Sequence, residues 1–85
     1  MVRYRLEFAK RVKSDLKKIP QKYHARLESA FMEIKEVHDQ GKPMQRELLG
    51  KFSWHVSVYR ILYKPNKKDK VVTILKVEHR ERAYS

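Results

Sequence analysis

Arginine, histidine and tyrosine gather in three short segments of the last third of the chain. They are Ser53-Trp54-His55-Val56, Tyr59-Arg60-Ile61-Leu62-Tyr63 and His79-Arg80-Glu81-Arg82-Ala83-Tyr84. Each sets a basic or imidazole group at the edge of a strand-like apolar run. Such groups suit an anionic phosphodiester. Arginine presents a planar fork of parallel donors to phosphate oxygens and stays charged. Histidine titrates near neutrality, so His55 or His79 could act as base or acid. Attack by a ribose 2′-hydroxyl needs a base for the hydroxyl, a cation for the phosphorane and an acid for the 5′-oxygen. Tyr84 could stack on a splayed base, as aromatic side chains do in RNA recognition.

Each residue also has an ordinary reading. Arg60 lies in an apolar strand and could be a structural arginine paired with a carboxylate. His55 could be an exposed strand residue, and His79 could simply end a strand. Trp54 reads as packing rather than as a stacking platform. His24 and His38 fall in a helical stretch and are expected to face solvent. The four histidines have no metal-ligand spacing, and two glycines make no phosphate loop, so no metal and no cofactor are expected.

The elements that position these groups follow from periodicity. Val2, Tyr4, Leu6 and Phe8 alternate with charged residues, the period of a half-buried strand. Ala9, Val12, Leu16 and Ile19 then recur at helical spacing, with a basic outer face, until Pro20 stops the helix. Tyr23, Leu27, Ala30, Phe31, Ile34 and Val37 line a second helix. Gly41 suits a left-handed cap, and Pro43 prevents continuation. Residues Lys42 to Lys51 read as a linker within the domain, with Leu48-Leu49 as an anchor into the core.

Phe52, Trp54, Val56 and Val58 share one parity, whereas Tyr59, Ile61 and Tyr63 take the other. The flip predicts two strands joined by a tight turn near Ser57-Val58. Lys64 to Lys70 reads as an exposed turn. Val71 to Val77 is almost wholly apolar, so it is expected as a central strand covered on both faces. The tail from Glu78 to Ser85 is expected to add a short edge strand. The fold class is therefore α+β: an N-terminal strand, an antiparallel helical hairpin, and a three- to four-stranded, mainly antiparallel sheet.

Eighty-five residues with 41% hydrophobic content make one domain, residues 1–85, with one core. The formal net charge of +11 implies an anionic partner. No cysteine is present, which excludes disulfides and thiolate chemistry. No run is long and apolar enough for a membrane span, and the N-terminus lacks a signal-peptide core. A cytoplasmic location is the expectation.

The order of elements resembles the RelE/ParE superfamily of type II toxins over nearly the whole chain. Three motifs carry the likeness: Leu48-Leu49-Gly50, Tyr59-Arg60-Ile61-Leu62-Tyr63, and Val77-Glu78-His79-Arg80 followed by Tyr84. The resemblance implies a RelE-like microbial RNase fold that cuts messenger RNA in the ribosomal A site, without a metal. Inhibition by an acidic, RelB-like antitoxin is implied as well. Arg60 and Arg80 match the family's phosphate-contacting arginines. Tyr84 matches the C-terminal aromatic that stacks on a base or moves a proton. His55 falls where the family places a basic residue, with Lys51 nearby; Lys51 and Arg82 are candidate RNA contacts. The family's Gly-Asp turn is Ser57-Val58 here, and its lysine-rich strand is reduced to Ser53 and His55. The general base stays open between His55 and His79. A ParE-like gyrase inhibitor, or a catalytically inactive nucleic-acid-binding relative, would share the fold.

Overall fold

The computed structural model describes residues 3–45 and 49–81. A five-stranded sheet in the order β1-β5-β4-β3-β2 carries two helices on one face. Strand β1 (Arg5–Phe8) runs parallel to β5 (Val71–His79). The remaining neighbours are antiparallel: β5 with β4 (Tyr59–Asn66), β4 with β3 (Phe52–Val56), and β3 with the two-residue β2 (Lys42–Pro43). The stretch expected as a linker thus contributes an edge strand, extended by a bond from the Met44 N–H to the Lys51 carbonyl. Strand β4 runs on to Asn66, so the β4–β5 turn is shorter than expected. Pro65 falls beyond the end of β3, where proline is tolerated in a strand.

Helix α1 (Lys10–Lys17) follows β1 through Ala9, whose N–H donates to the Ile74 carbonyl. A turn of 3₁₀ helix (Gln21–Tyr23) after Pro20 leads into α2 (His24–Val37). Val12 and Ile19 meet Leu27, Phe31 and Ile34 of α2 over Tyr59, Ile61, Tyr63, Val72, Ile74 and Val77 of the sheet. Trp54 and Phe52 are partly buried against this core, as packing residues.

Two histidines expected in solvent are half-buried instead. The Nε2 of His24 lies 3.0 Å from both the Leu16 and the Ile19 carbonyls, so it donates to the C-terminal end of α1. Leu16 lies in the last turn of α1 and Ile19 just beyond it, so this side chain ties the start of α2 to that end. The His38 ring lies against Tyr4, with centroids 4.1 Å apart. The pattern of the sequence shows only that both lie off the apolar stripe, not that neighbouring elements reach them.

Gly41 is also used differently from expectation. Its φ of −70° is ordinary extended backbone. A Cβ there would lie 2.0 Å from the Tyr63 hydroxyl, so glycine is required by close approach. Gly50, with φ +88°, does take the left-handed region. Leu49, expected as a core anchor, is 77% exposed, and its partner Leu48 lies outside the described residues. Among the described residues, no helix is long and apolar enough to cross a membrane.

Candidate active site

The helix-free face of the sheet carries two of the candidate residues, His55 and Arg60. Tyr59, Ile61 and Tyr63 point to the core, so Arg60 points away from it. The same alternation turns His55 outward from between Trp54 and Val56. Register then sets His55 directly opposite Arg60, and Arg60 directly opposite Glu78. The row His55–Arg60–Glu78 crosses three strands at the end where β3 turns into β4.

That turn is Ser57-Val58, where the parity flip placed it. Ser57 adopts φ +55°, a conformation more commonly given to glycine. The Val58 carbonyl accepts from the Arg80 N–H at 2.8 Å, which ties the residue after β5 to the β3–β4 turn. A cleft of about 370 Å³ results, lined by His55, Val58, Arg60, His79, Arg80 and Glu81.

Within it the two histidines differ. His79 lies on the core side, edge-on to Tyr59 with ring centroids 5.5 Å apart. Its Nδ1 accepts from the Glu81 N–H at 3.2 Å. That bond assigns the neutral ring a proton on Nε2 and occupies Nδ1 in the turn. His55 lies on the outer side, at the rim. Desolvation of its ring, then the charges of Arg80, Arg60 and Lys42, lower its pKa from the ordinary 6.5. A neutral imidazole beside two guanidinium groups is suited to accept a proton near an anionic phosphate.

Arg60 is anchored rather than loose. Its Nη2 donates to Glu78 Oε2 at 3.2 Å, and Glu78 Oε1 accepts from Lys76 Nζ at 2.8 Å. The carboxylate partner of the ordinary reading is therefore present, and Arg60 lines the cleft as well. Among the described residues, no three His, Asp or Glu side chains group as a metal site.

A family model described as ParE toxin of type II toxin–antitoxin systems matches residues 6–84. The chain belongs to the RelE/ParE superfamily of type II toxins. Toxin RelG of Mycobacterium tuberculosis is 37% identical to this toxin over 83 residues, 95% of each chain. A chain of the toxin–antitoxin complex RelBE2, also from Mycobacterium tuberculosis, is 38% identical over 94% of each chain, with a TM-score of 0.83. The archaeal RelE–RelB complex from Pyrococcus horikoshii is alike in fold: TM-score 0.76 at 24% identity, over 95% of this toxin and 99% of that chain.

The structure brings together four of the toxin's candidate residues: His55, Arg60, His79 and Arg80. Tyr84 and Arg82 lie outside the described residues. Lys51 precedes β3 at the end away from His55, about 13 Å along the strand at about 3.3 Å per residue, and is not part of the cleft lining. Glu78, Lys76 and Lys42 were not candidates. Their signal is the strand register, which no run of residues carries by itself.

Proposed function

We propose that this type II toxin is a ribosome-dependent endoribonuclease that cleaves messenger RNA in the A site without a metal. The observation that carries the reading is His55, held toward its neutral form, in one cleft with Arg60 and Arg80. His55 takes the proton of the ribose 2′-hydroxyl. The 2′-oxygen bonds to the adjacent phosphorus, and the bond from phosphorus to the 5′-oxygen breaks, leaving a 2′,3′-cyclic phosphate. Arg60 and Arg80 donate to the non-bridging oxygens as charge builds on them. The 5′-oxygen needs a proton, and Tyr84 is the residue that the family resemblance offers for it.

An acidic antitoxin that covers the cleft and offsets the +11 charge is the partner of this reading. Two of the similar structures are complexes of a toxin with its antitoxin, which supports it. Primer extension on cellular messages after induction is the test. Cuts within translated codons are expected, strongly reduced with Arg60→Ala and Arg80→Ala. Arrest with intact messages would refute the reading.

The matching family model is that of ParE toxins, which favours one second reading, inhibition of DNA gyrase through the same surface. A supercoiling assay with purified gyrase separates the two: inhibition that survives Arg60→Ala, with messages intact, supports the second.

A further inference from the structure

Glu78 stands in the row with Arg60 and His55, yet the chemistry proposed above gives it no part. Its two carboxylate oxygens are divided between two cations, Oε2 to Arg60 at 3.2 Å and Oε1 to Lys76 at 2.8 Å. All three side chains are withdrawn from solvent, with 12% of Arg60, 15% of Glu78 and 32% of Lys76 exposed. Sequestered ion pairs of this kind are a poor route to stability, because desolvation of the charges offsets their attraction.

A carboxylate beside a phosphate-binding arginine would oppose anion binding if it shared the anion's space. It does not. Arg60 lines the cleft with His55 and Arg80, whereas Glu78 is not part of that lining. The carboxylate grips the guanidinium from outside the cleft. Lys76, on the same strand, holds the second oxygen, which stops the carboxylate from turning and offsets its charge.

We infer that Glu78 is a positioning residue: with Lys76 as its own anchor, it fixes the Arg60 guanidinium toward the cleft, so that the scissile phosphate meets a donor fork already oriented. The inference rests on the reading of Arg60 as a phosphate ligand. Its physical basis is preorganisation. Donors that need no rearrangement as charge develops stabilise a transition state more than mobile ones. An arginine that must first be ordered loses part of that stabilisation.

The test compares Glu78→Ala, Glu78→Gln, Arg60→Ala and the Arg60→Ala/Glu78→Ala pair. Single-turnover cleavage is measured on programmed ribosomes, with thermal melting of each variant. Glu78→Ala is expected to lower the cleavage rate about tenfold to a hundredfold, as misplacement of a catalytic group does, with half-saturation changed less than about threefold. Glu78→Gln keeps a carbonyl acceptor for Nη2 and is expected to recover most of the rate. In the Arg60→Ala background, Glu78→Ala is expected to cost nothing further. An equal loss in both backgrounds overturns the proposal.

A second readout does not depend on cleavage. The Nε–H resonance of Arg60 in nitrogen-15 spectra is expected to be sharp in the wild type and in Glu78→Gln, and broadened by exchange in Glu78→Ala. A resonance indifferent to Glu78 also overturns the proposal. A resonance that depends on Glu78 in a protein that cuts no RNA leaves the positioning intact and refutes the nuclease reading.

Discussion

Replacing Gly41 by alanine is a sharp test of how β4 is held. Two accounts of this glycine predict opposite signs in stability. If only conformation mattered, alanine at φ −70° would be harmless and would stabilise by about 0.4–1 kcal/mol through the unfolded chain. The structure says otherwise. The added Cβ would lie 2.0 Å from Tyr63 Oη, 2.9 Å from its Cζ and 3.1 Å from the Ser53 carbonyl oxygen. Tyr63 has no room to retreat: it is fully buried, stacked on Phe52, and donates to the His38 carbonyl at 2.7 Å. Breaking that bond leaves a buried hydroxyl without an acceptor, at about 1–3 kcal/mol. Overpacking adds about 1–3 kcal/mol. The expected loss is about 2–6 kcal/mol, a melting midpoint lower by about 10–45 °C for a domain of this size. The assay is thermal and urea unfolding of Gly41→Ala, Tyr63→Phe and the pair. Removing the hydroxyl relieves the nearest contact, so the two changes should couple by about 1–2 kcal/mol. A Gly41→Ala variant that melts at or above wild type, or one that loses the same amount with and without the hydroxyl, refutes the close-approach account.

Three further outcomes follow from the same geometry. The pKa of His55 is lowered from 6.5, so cleavage should fall on acidification with a midpoint below 6.5; Lys42→Met removes one of the cations that lower it and should move that midpoint upward in a pH–rate profile. The same shift makes the folded state bind fewer protons than the unfolded chain, so stability should decline as pH falls below 6.5, less steeply in His55→Gln, by urea titration across pH. Burial pushes the Tyr63 hydroxyl from 10 up to about 12, so nothing is lost below pH 10 and roughly 2–3 kcal/mol should be lost as pH rises through about 12; Tyr63→Phe should flatten that part of the stability curve. Asp15 accepts from the Val77 N–H at 3.1 Å as well as from Arg11, so Asp15→Ala should cost about 1–3 kcal/mol, whereas Arg11→Ala, which removes only an exposed partner, should cost less than about 1 kcal/mol by chemical denaturation.

Local periodicity made the elements legible. The alternation of Tyr4, Leu6 and Phe8, the helical spacing of Val12, Leu16 and Ile19, and the parity flip at Ser57-Val58 are each written within a few residues. The turn was legible without glycine because phase, not composition, located it. What stayed hidden depends on residues far apart in the chain. Gly41 answers to Tyr63, His24 to the carbonyls of Leu16 and Ile19, and Asp15 to an N–H of β5. At the candidate site, Arg60 and Arg80 are singled out by phosphate chemistry together with the family motif. That His55 sits opposite Arg60, while His79 turns to the core side, required the register.

The apolar run of β5 shows how much one residue of register decides. Val71 to Val77 looks covered on both faces, and that reading makes the strand central. In the sheet β4 is the middle strand, and β5 lies between it and β1. Val71 and Val72, on opposite faces, are both buried, and the run has a second cause as well. Leu62 pairs with Lys76, but its neighbour Tyr63 pairs with Ile74, so Leu75 is an extra residue on β5. A bulge of this kind resets the alternation. Val72 and Ile74 reach the core before it, and Val77 reaches the core after it, at a spacing of three rather than two. In an unbroken strand, the parity of Val72 and Ile74 would carry Lys76 and Glu78 into the core and turn Val77 outward. With the bulge, the two charged residues emerge on the open face, directly across from Leu62 and Arg60. The extra residue that makes the sequence look uniformly apolar is thus what brings a carboxylate to the cleft arginine.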